Sequence, residues 1–294
     1  MPDYMSLAQI AAEAEEKHIS IGALVLEDQS TQMETNRESV FAAMERQLQV
    51  MEQSAINGSR EDIRSTSGLT GGDAYKMQNY SHKAVCGPLC IQAIATALAV
   101  AECNAAMGRI VASPTAGSCG ILPGAVLTML HQGKCTRDEA VYAMICAGAV
   151  GMVIANKATL SGAAGGCQAE CGSASAMAAA ALVELMGGTP GMVLNAVAMA
   201  LKNQMGLVCD PVAGLVEVPC IKRNAAGVMI AITAADMALA GIQSVIPADE
   251  VIEAMRDVGE SMPCALRETA QGGIAATPTA KELARKIFEK DETK

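Results

Sequence analysis

Three features of the sequence predict an all-α fold. Half of the 294 residues are hydrophobic, yet only two are Phe, four are Tyr and none is Trp. The core therefore has to close by tight packing of Ala, Val, Leu and Met. Ala and Met are good helix formers that let helices approach closely, whereas β-branched runs here are short. Long stretches of period-two alternation are scarce, which leaves little from which to build a sheet. A chain of this length buries a sizeable core, and the expected organisation is a helical segment, residues 1–60, packed on an all-α unit, residues 61–294.

Residues 5–57 read as two polar, amphipathic helices joined by a turn near residues 28–30. The second carries Val40, Met44, Leu48 and Met51 at three- and four-residue steps and stops at Asn57 and Gly58. The next stretch, STSGLTGGDAYKMQNYSHK (residues 65–83), holds too much Ser, Thr and Gly for a helix and is too polar to be buried without a purpose. From Pro88 to the mid-250s the chain reads as a run of apolar helices. Thr136 with Glu139 forms a capping box for the helix through Tyr142. Thr279 with Glu282 forms another for the last helix, which carries Leu283 and Ile287. Two segments read as copies of one another, MGRIVASPTAGSCGILPG from Met107 and MGLVCDPVAGLVEVPC from Met205. Both follow an alanine-rich helix, and both contain Pro-x-Ala-Gly and then a second proline (Pro114 and Pro123; Pro211 and Pro219). Prolines and glycines at these offsets stop one helix and start the next.

Composition also excludes several classes. The net charge is −10, and a chain this acidic and this poor in aromatics offers neither the basic face nor the stacking platforms that nucleic acid requires. The longest uncharged apolar stretch, residues 140–155, falls short of the ~20 residues that cross a bilayer. Other apolar runs carry Glu102, Glu170, Glu184 or Asp236, so these helices are expected to form a buried core and not to enter a membrane. MPDYMSLAQI has neither the basic start nor the apolar run of a secretory signal. Eleven cysteines, an odd number, then point to reduced thiols in the cytoplasm. Cys90, Cys103 and Cys146 lie within apolar helical stretches, where a free cysteine acts as a small hydrophobe.

Four others stand at breaks in helices: Cys167 after Gly165-Gly166 with Cys171 one turn on, Cys209 before Asp210-Pro211, and Cys220 after Pro219. Irregular backbone in an apolar interior must satisfy its own polar groups, and buried loops of this kind usually bind something. A structural zinc site would favour short Cys-x-x-Cys pairs, and the chain has none. Three dispersed thiolates at loop–helix junctions suit an iron–sulfur cluster with one iron left unclaimed by the protein.

The segments SGLTGGDAYKM, SPTAGSCGILPG, GCQAECGSASAMAAAA and CDPVAGLVEVPCIKRN resemble the signature segments of the iron–sulfur-dependent L-serine dehydratases. The likeness spans residues 65–246 and is to the separate α (catalytic) subunit of the two-subunit type. It implies a [4Fe-4S] cluster held by Cys167, Cys209 and Cys220, with Cys171 a neighbour. It also implies sensitivity to oxygen, an oligomer, and a separate β subunit as partner, since no strand-rich segment of domain size is present. Single-chain members can end in a cysteine that reaches the fourth iron, whereas this chain ends EKDETK and its last cysteine is Cys264.

The implied reaction is the conversion of L-serine to pyruvate and ammonia. It breaks the Cβ–O bond and removes the Cα proton, and a Lewis-acid iron on the hydroxyl compensates for a poor leaving group. Donors for the substrate carboxylate are expected from Ser113, Thr115, Gly117 and Ser118, ahead of a helix, and from Ser67 and Thr70. The proton acceptor is sought at His82, with Lys76 nearby. Lys222, Arg223 and Asn224 either pair the substrate carboxylate, offset the cluster's negative charge, or form a solvated helix start. His18 and His131 read as solvated. The rival readings are a cluster-dependent cysteine desulfidase, in which thiol replaces hydroxyl as leaving group, a pyridoxal-phosphate dehydratase, which the missing strand–helix alternation disfavours, and a non-enzymatic helical scaffold.

Overall fold

The computed structural model of the chain describes residues 6–291, and among these it is all-α, with no strand. The N-terminal region forms three helices, α1 (Leu7–Glu16), α2 (Ile21–Gln32) and α3 (Arg37–Gly58), where two were expected. Residues 28–30 do not form a turn but lie inside α2. Their polar groups are met within the helix, Ser30 Oγ and Thr31 Oγ1 both donating to Glu27 O. The real breaks are set by caps. Ser20 Oγ accepts from Ala23 N at 3.2 Å and Asn36 Oδ1 from Ser39 N at 2.8 Å, each satisfying an amide at a helix start.

A second correction concerns residues 65–83, which contain α4 (Asp73–Tyr80) and a single 3-10 turn, Ser81–Lys83. The helix starts where Glu102, buried in α5 (Gly87–Ala105), accepts Asp73 N at 2.8 Å and Ala74 N at 3.2 Å. A carboxylate at a helix N-terminus answers both the orphan amides and the dipole, and nothing local to α4 announces it.

The run of apolar helices continues with α6 (Ile121–His131), α7 (Arg137–Lys157), the one-turn α8 (Gly162–Gly165), α9 (Ser173–Leu185), α10 (Pro190–Lys202), α11 (Cys220–Leu239) and α12 (Ala248–Ser261). The Thr136–Glu139 capping box is present at the start of α7. The last helix, α13 (Pro278–Asp291), is capped two residues earlier than expected: Thr277 Oγ1 accepts Ala280 N at 3.3 Å, and Thr279 lies inside the helix. Pro278 explains the shift, because its fixed φ and missing N–H suit the first helical position.

Helix α9 is the axis of the molecule. All of residues 173–183 are buried, and α6, α7, α10 and α11 pack around it. A helix that is small and apolar on every side has no solvent face. Glycines make the crossings close. A Cβ on Gly58 would run into the carbonyl of Ala99 in α5, and one on Gly227 would strike Ile121. The N-terminal helices dock on this core, α2 along α7 and α3 along α5, and Arg137 binds Glu52 (2.9 Å) and Glu45 (3.1 Å) across that seam. Helices α5 and α7 are long and apolar enough to cross a membrane, but 61% and 67% of their apolar windows are buried in the protein itself.

The Gly58–Ala99 approach gives a direct test. Gly58→Ala is expected to lower unfolding free energy by about 1–3 kcal/mol, the usual cost of overpacking, read from urea denaturation against wild type.

Candidate active site

Five of the passages that interrupt the helices meet at one buried place. They are residues 65–72 before α4, 107–120 between α5 and α6, 158–172 between α7 and α9, 203–219 between α10 and α11, and 262–277 between α12 and α13. The two segments that read as copies occupy equivalent places, each following a long helix. Each passes through a 3-10 turn, Ala116–Ser118 in one and Val212–Gly214 in the other.

The passage into α9 carries the first thiols. Gly166 takes φ 76°, a conformation that favours glycine, and a Cβ there would also meet Met262 and Leu207 O. Cys167 follows, and residues 168–172 form a single π-type turn before α9, a helix defect frequent at functional sites. Cys167 Sγ and Cys171 Sγ lie 3.4 Å apart in hydrogen-bonding contact. Cys209 and Cys220 arrive from the passage before α11, and all four thiols are buried. Cys209 Sγ stands 3.7 Å from Glu170 Oε2. Gly162 makes room for both, since a Cβ there would sit 3.0 Å from that sulfur and 2.5 Å from that oxygen.

The three thiols singled out by the sequence are close enough to act on each other's ionisation. Burial, then the charges of Glu170, Cys167 and Cys220, raise Cys209 above the ordinary thiol range. Burial, then Cys167, push Cys220 up to about 12. Cys167 is the exception: the hydrogen bond with Cys171 and the nearby Arg223 guanidinium hold it below the usual value against the effect of burial. Cys171 is raised well above that range by the same bond and by burial. Among the described residues no three His, Cys, Asp or Glu side chains converge tightly enough to hold a single metal ion. All eleven cysteines are free.

The expected substrate loops border these thiols. Thr115 Oγ1 donates to Glu170 Oε1 at 2.7 Å and lies 3.1 Å from Ser118 Oγ. A Cβ on Gly117 would lie 3.2 Å from the same carboxylate. Ser113 Oγ is buried and has no hydrogen-bond partner among the described residues. Asn224 stitches the two copied loops together: its Oδ1 accepts Gly120 N at 2.8 Å, and its Nδ2 donates to Gly117 O and Cys220 O at 2.8 and 2.9 Å. Ser67 Oγ and Thr70 Oγ1 both donate to Glu217, at 2.7 and 3.2 Å.

Lys76 and Lys222 come together elsewhere. Both are largely exposed and both pair with Asp73 at 2.9 Å. His82 lies in the 3-10 turn after α4, with its side chain outside the described ones.

Glu170, Asp210 and the chain after α12 have no assigned role in the sequence, whereas Arg223 stands there as a candidate to pair the substrate carboxylate or offset cluster charge. Glu170 had been noted only as a charge that interrupts an apolar run. Arg223 donates to Val208 O at 2.8 Å and to Asp210 Oδ1 at 2.9 Å. Asp210 in turn accepts Ile274 N at 2.7 Å, and Glu268 N donates to Cys209 O at the same distance. The Cys209 amide donates to Leu266 O at 2.9 Å. The chain after α12 is thus strapped over Cys209, a contact with no local signal in residues 262–277.

Against known proteins, the family model described as serine dehydratase alpha chain matches residues 16–275. The chain belongs to that family. It is 52% identical over 287 residues to the probable L-serine dehydratase, alpha chain, of Bacillus subtilis (strain 168), covering 97% of this chain and 95% of that protein. To the L-serine dehydratase, alpha chain, of Peptoniphilus asaccharolyticus it is 42% identical over 279 residues, 94% of this chain and 96% of the other. With L-serine dehydratase TdcG of Escherichia coli (strain K12) it shares 46% identity over 182 residues, 61% of this chain but 40% of that protein. The serine dehydratase alpha chain match thus takes in Cys167, Cys171, Cys209 and Cys220 and most of the strap.

The strap yields a prediction. Asp210→Ala removes the acceptor for Ile274 N and leaves Arg223 buried without its partner, so the Ile274 amide is expected to exchange at least about tenfold faster in hydrogen-exchange measurements, with global stability falling by about 3–5 kcal/mol.

Proposed function

We propose that this chain is the catalytic subunit of an iron–sulfur L-serine dehydratase, a lyase that converts L-serine to pyruvate and ammonia in the cytoplasm with a separate β subunit as partner. The observation that carries the reading is that three buried thiols from passages far apart in sequence border the same loops: Cys209 lies 3.7 Å from Glu170 in the turn that follows Cys167, and Asn224 ties Cys220 O to Gly117 O beside that carboxylate. The relatives' names support serine as substrate, and their description as alpha chains supports a separate β subunit.

The residues fit a [4Fe-4S] cluster. Thiolates are the ligands such clusters use, and Cys167, Cys209 and Cys220 are buried thiols at helix breaks that share one loop region. Arg223, half-buried among these groups, offers positive charge to offset bound thiolates. When bound, the cluster supplies Lewis acidity toward the substrate hydroxyl, which eases loss of water.

The protein's own residues have the remaining tasks. Ser113 Oγ, buried without a partner, is poised to bond the substrate carboxylate, and the 116–118 turn beside it supplies backbone amides. Thr115 holds the Glu170 carboxylate beside Cys209. Lys76 and Lys222 already pair with Asp73, so among the expected proton carriers we assign removal of the Cα proton to His82. Loss of water and that proton leaves aminoacrylate, which becomes an imine and hydrolyses to pyruvate and ammonia.

Two experiments test this reading. In anaerobically purified protein, replacing Cys167, Cys209 or Cys220 by Ser is expected to abolish bound iron and acid-labile sulfide, whereas Cys171→Ser keeps most of both; the opposite pattern would reject the ligand set. His82→Ala should lower kcat by about 100-fold or more with iron content unchanged, the scale of a lost general base, and near-normal turnover would remove His82 from that role.

A further inference from the structure

Among the described residues, three acidic ones are at most 5% exposed: Glu102, Asp210 and Glu217. Two of them have their charge answered. Glu102 sits at the N-terminus of α4 and receives two backbone amides, and Asp210 pairs with Arg223 and receives the Ile274 amide. Glu217 has neither kind of compensation. Among the described residues no cation pairs with it and no backbone N–H reaches its carboxylate. Among the described residues, its carboxylate accepts hydrogen bonds from Ser67 Oγ and Thr70 Oγ1 alone, both onto Oε2. A buried carboxylate without a counter-charge is costly to keep, and its place in the active-site loop, between Cys209 and Cys220, points to a cation that arrives from outside.

We propose that Glu217, with Ser67 and Thr70, is the subsite for the α-ammonium group of the amino-acid substrate, an inference that rests on the dehydratase reading above. Proton counting supports it. Each hydroxyl has one proton, and both protons are committed to Glu217, so neither hydroxyl can donate to a substrate carboxylate, the role the sequence suggested. What they offer is oxygen lone pairs. Ser67 Oγ already accepts Leu69 N at 3.1 Å and lies 3.5 Å from Ser65 Oγ, so the freer acceptor is Thr70 Oγ1, which accepts from none of the described residues. An ammonium group brings three N–H donors and a full positive charge to such a site.

The neighbouring loop completes the recognition of a zwitterion. Val216, adjacent to Glu217, lies 3.5 Å from where a Cβ on Gly117 would stand, so the acidic subsite borders the 113–118 loop and its unpartnered Ser113 hydroxyl. One end of the substrate meets negative charge and the other meets donors.

The test compares two ligands on the anaerobically purified holoenzyme: L-serine, and 3-hydroxypropionate, which has the same hydroxyl and carboxylate but no ammonium. The wild type should bind serine the more tightly. Glu217→Gln, which keeps the shape and removes the charge, should weaken serine about tenfold or more and leave 3-hydroxypropionate within about twofold, as expected for a lost charged hydrogen bond. Iron content and thermal melting monitor the fold. If that variant does not fold, the Ser67→Ala/Thr70→Ala double variant carries the test, with the same selective loss on serine expected at smaller size. Equal weakening of both ligands, or unchanged serine affinity, in a folded variant would overturn the proposal. Weakened subunit association with serine affinity intact would also overturn it, since the counter-charge would then belong to another chain. Wild-type turnover of serine is scored separately: its absence would overturn the dehydratase reading and this subsite with it.

Discussion

Buried irregular backbone must hydrogen-bond within the protein, and the site exists because a few side chains meet that demand. Asn224 ties the two copied loops to each other and to the first turn of α11. Gln168 reaches from the π-type turn to Met255 O and Gly206 N, joining α12 to the loop before α11. Arg223 fixes Val208 O and Asp210. Without these bonds, five helix breaks could not share an apolar interior at tolerable cost.

The small-residue core serves the same end from the other side. Alanine and glycine let α9 lie at the centre with helices on all sides, which brings the ends of those helices close together. Side chains at helix ends and breaks are not confined to one face of a cylinder, so thiols placed there can face inward from several directions. That is why Cys167, Cys209 and Cys220 meet while Cys103 and Cys146, buried within helices, remain packing residues.

Charge gives the site its polarity. Arg223 is held among Cys167, Asp210 and Glu170, so its positive charge stands beside the thiols together with two carboxylates. Glu217 leaves negative charge on the side of the Ser67 and Thr70 hydroxyls. A zwitterionic ligand with a polar side chain finds different chemistry at each of its ends.

The sequence by itself determined what depends on neighbours within a turn or two. The helical class follows from composition, the Thr136–Glu139 box from residues three apart, and the placing of cysteines at helix breaks from adjacent glycines and prolines. Helix α4 escaped because its cap, Glu102, is 29 residues away. The extra break near residue 18 escaped because Ser20 gave no stronger local signal than the polar run at residues 28–30, which α2 absorbs. Glu170 was visible only as a charge in an apolar run, and its meaning depends on Thr115, 55 residues distant. Glu217 meets Ser67 across 150 residues. Local propensity records the energy of a turn, whereas these contacts are chosen by which helices pack together, and only the tertiary structure decides that.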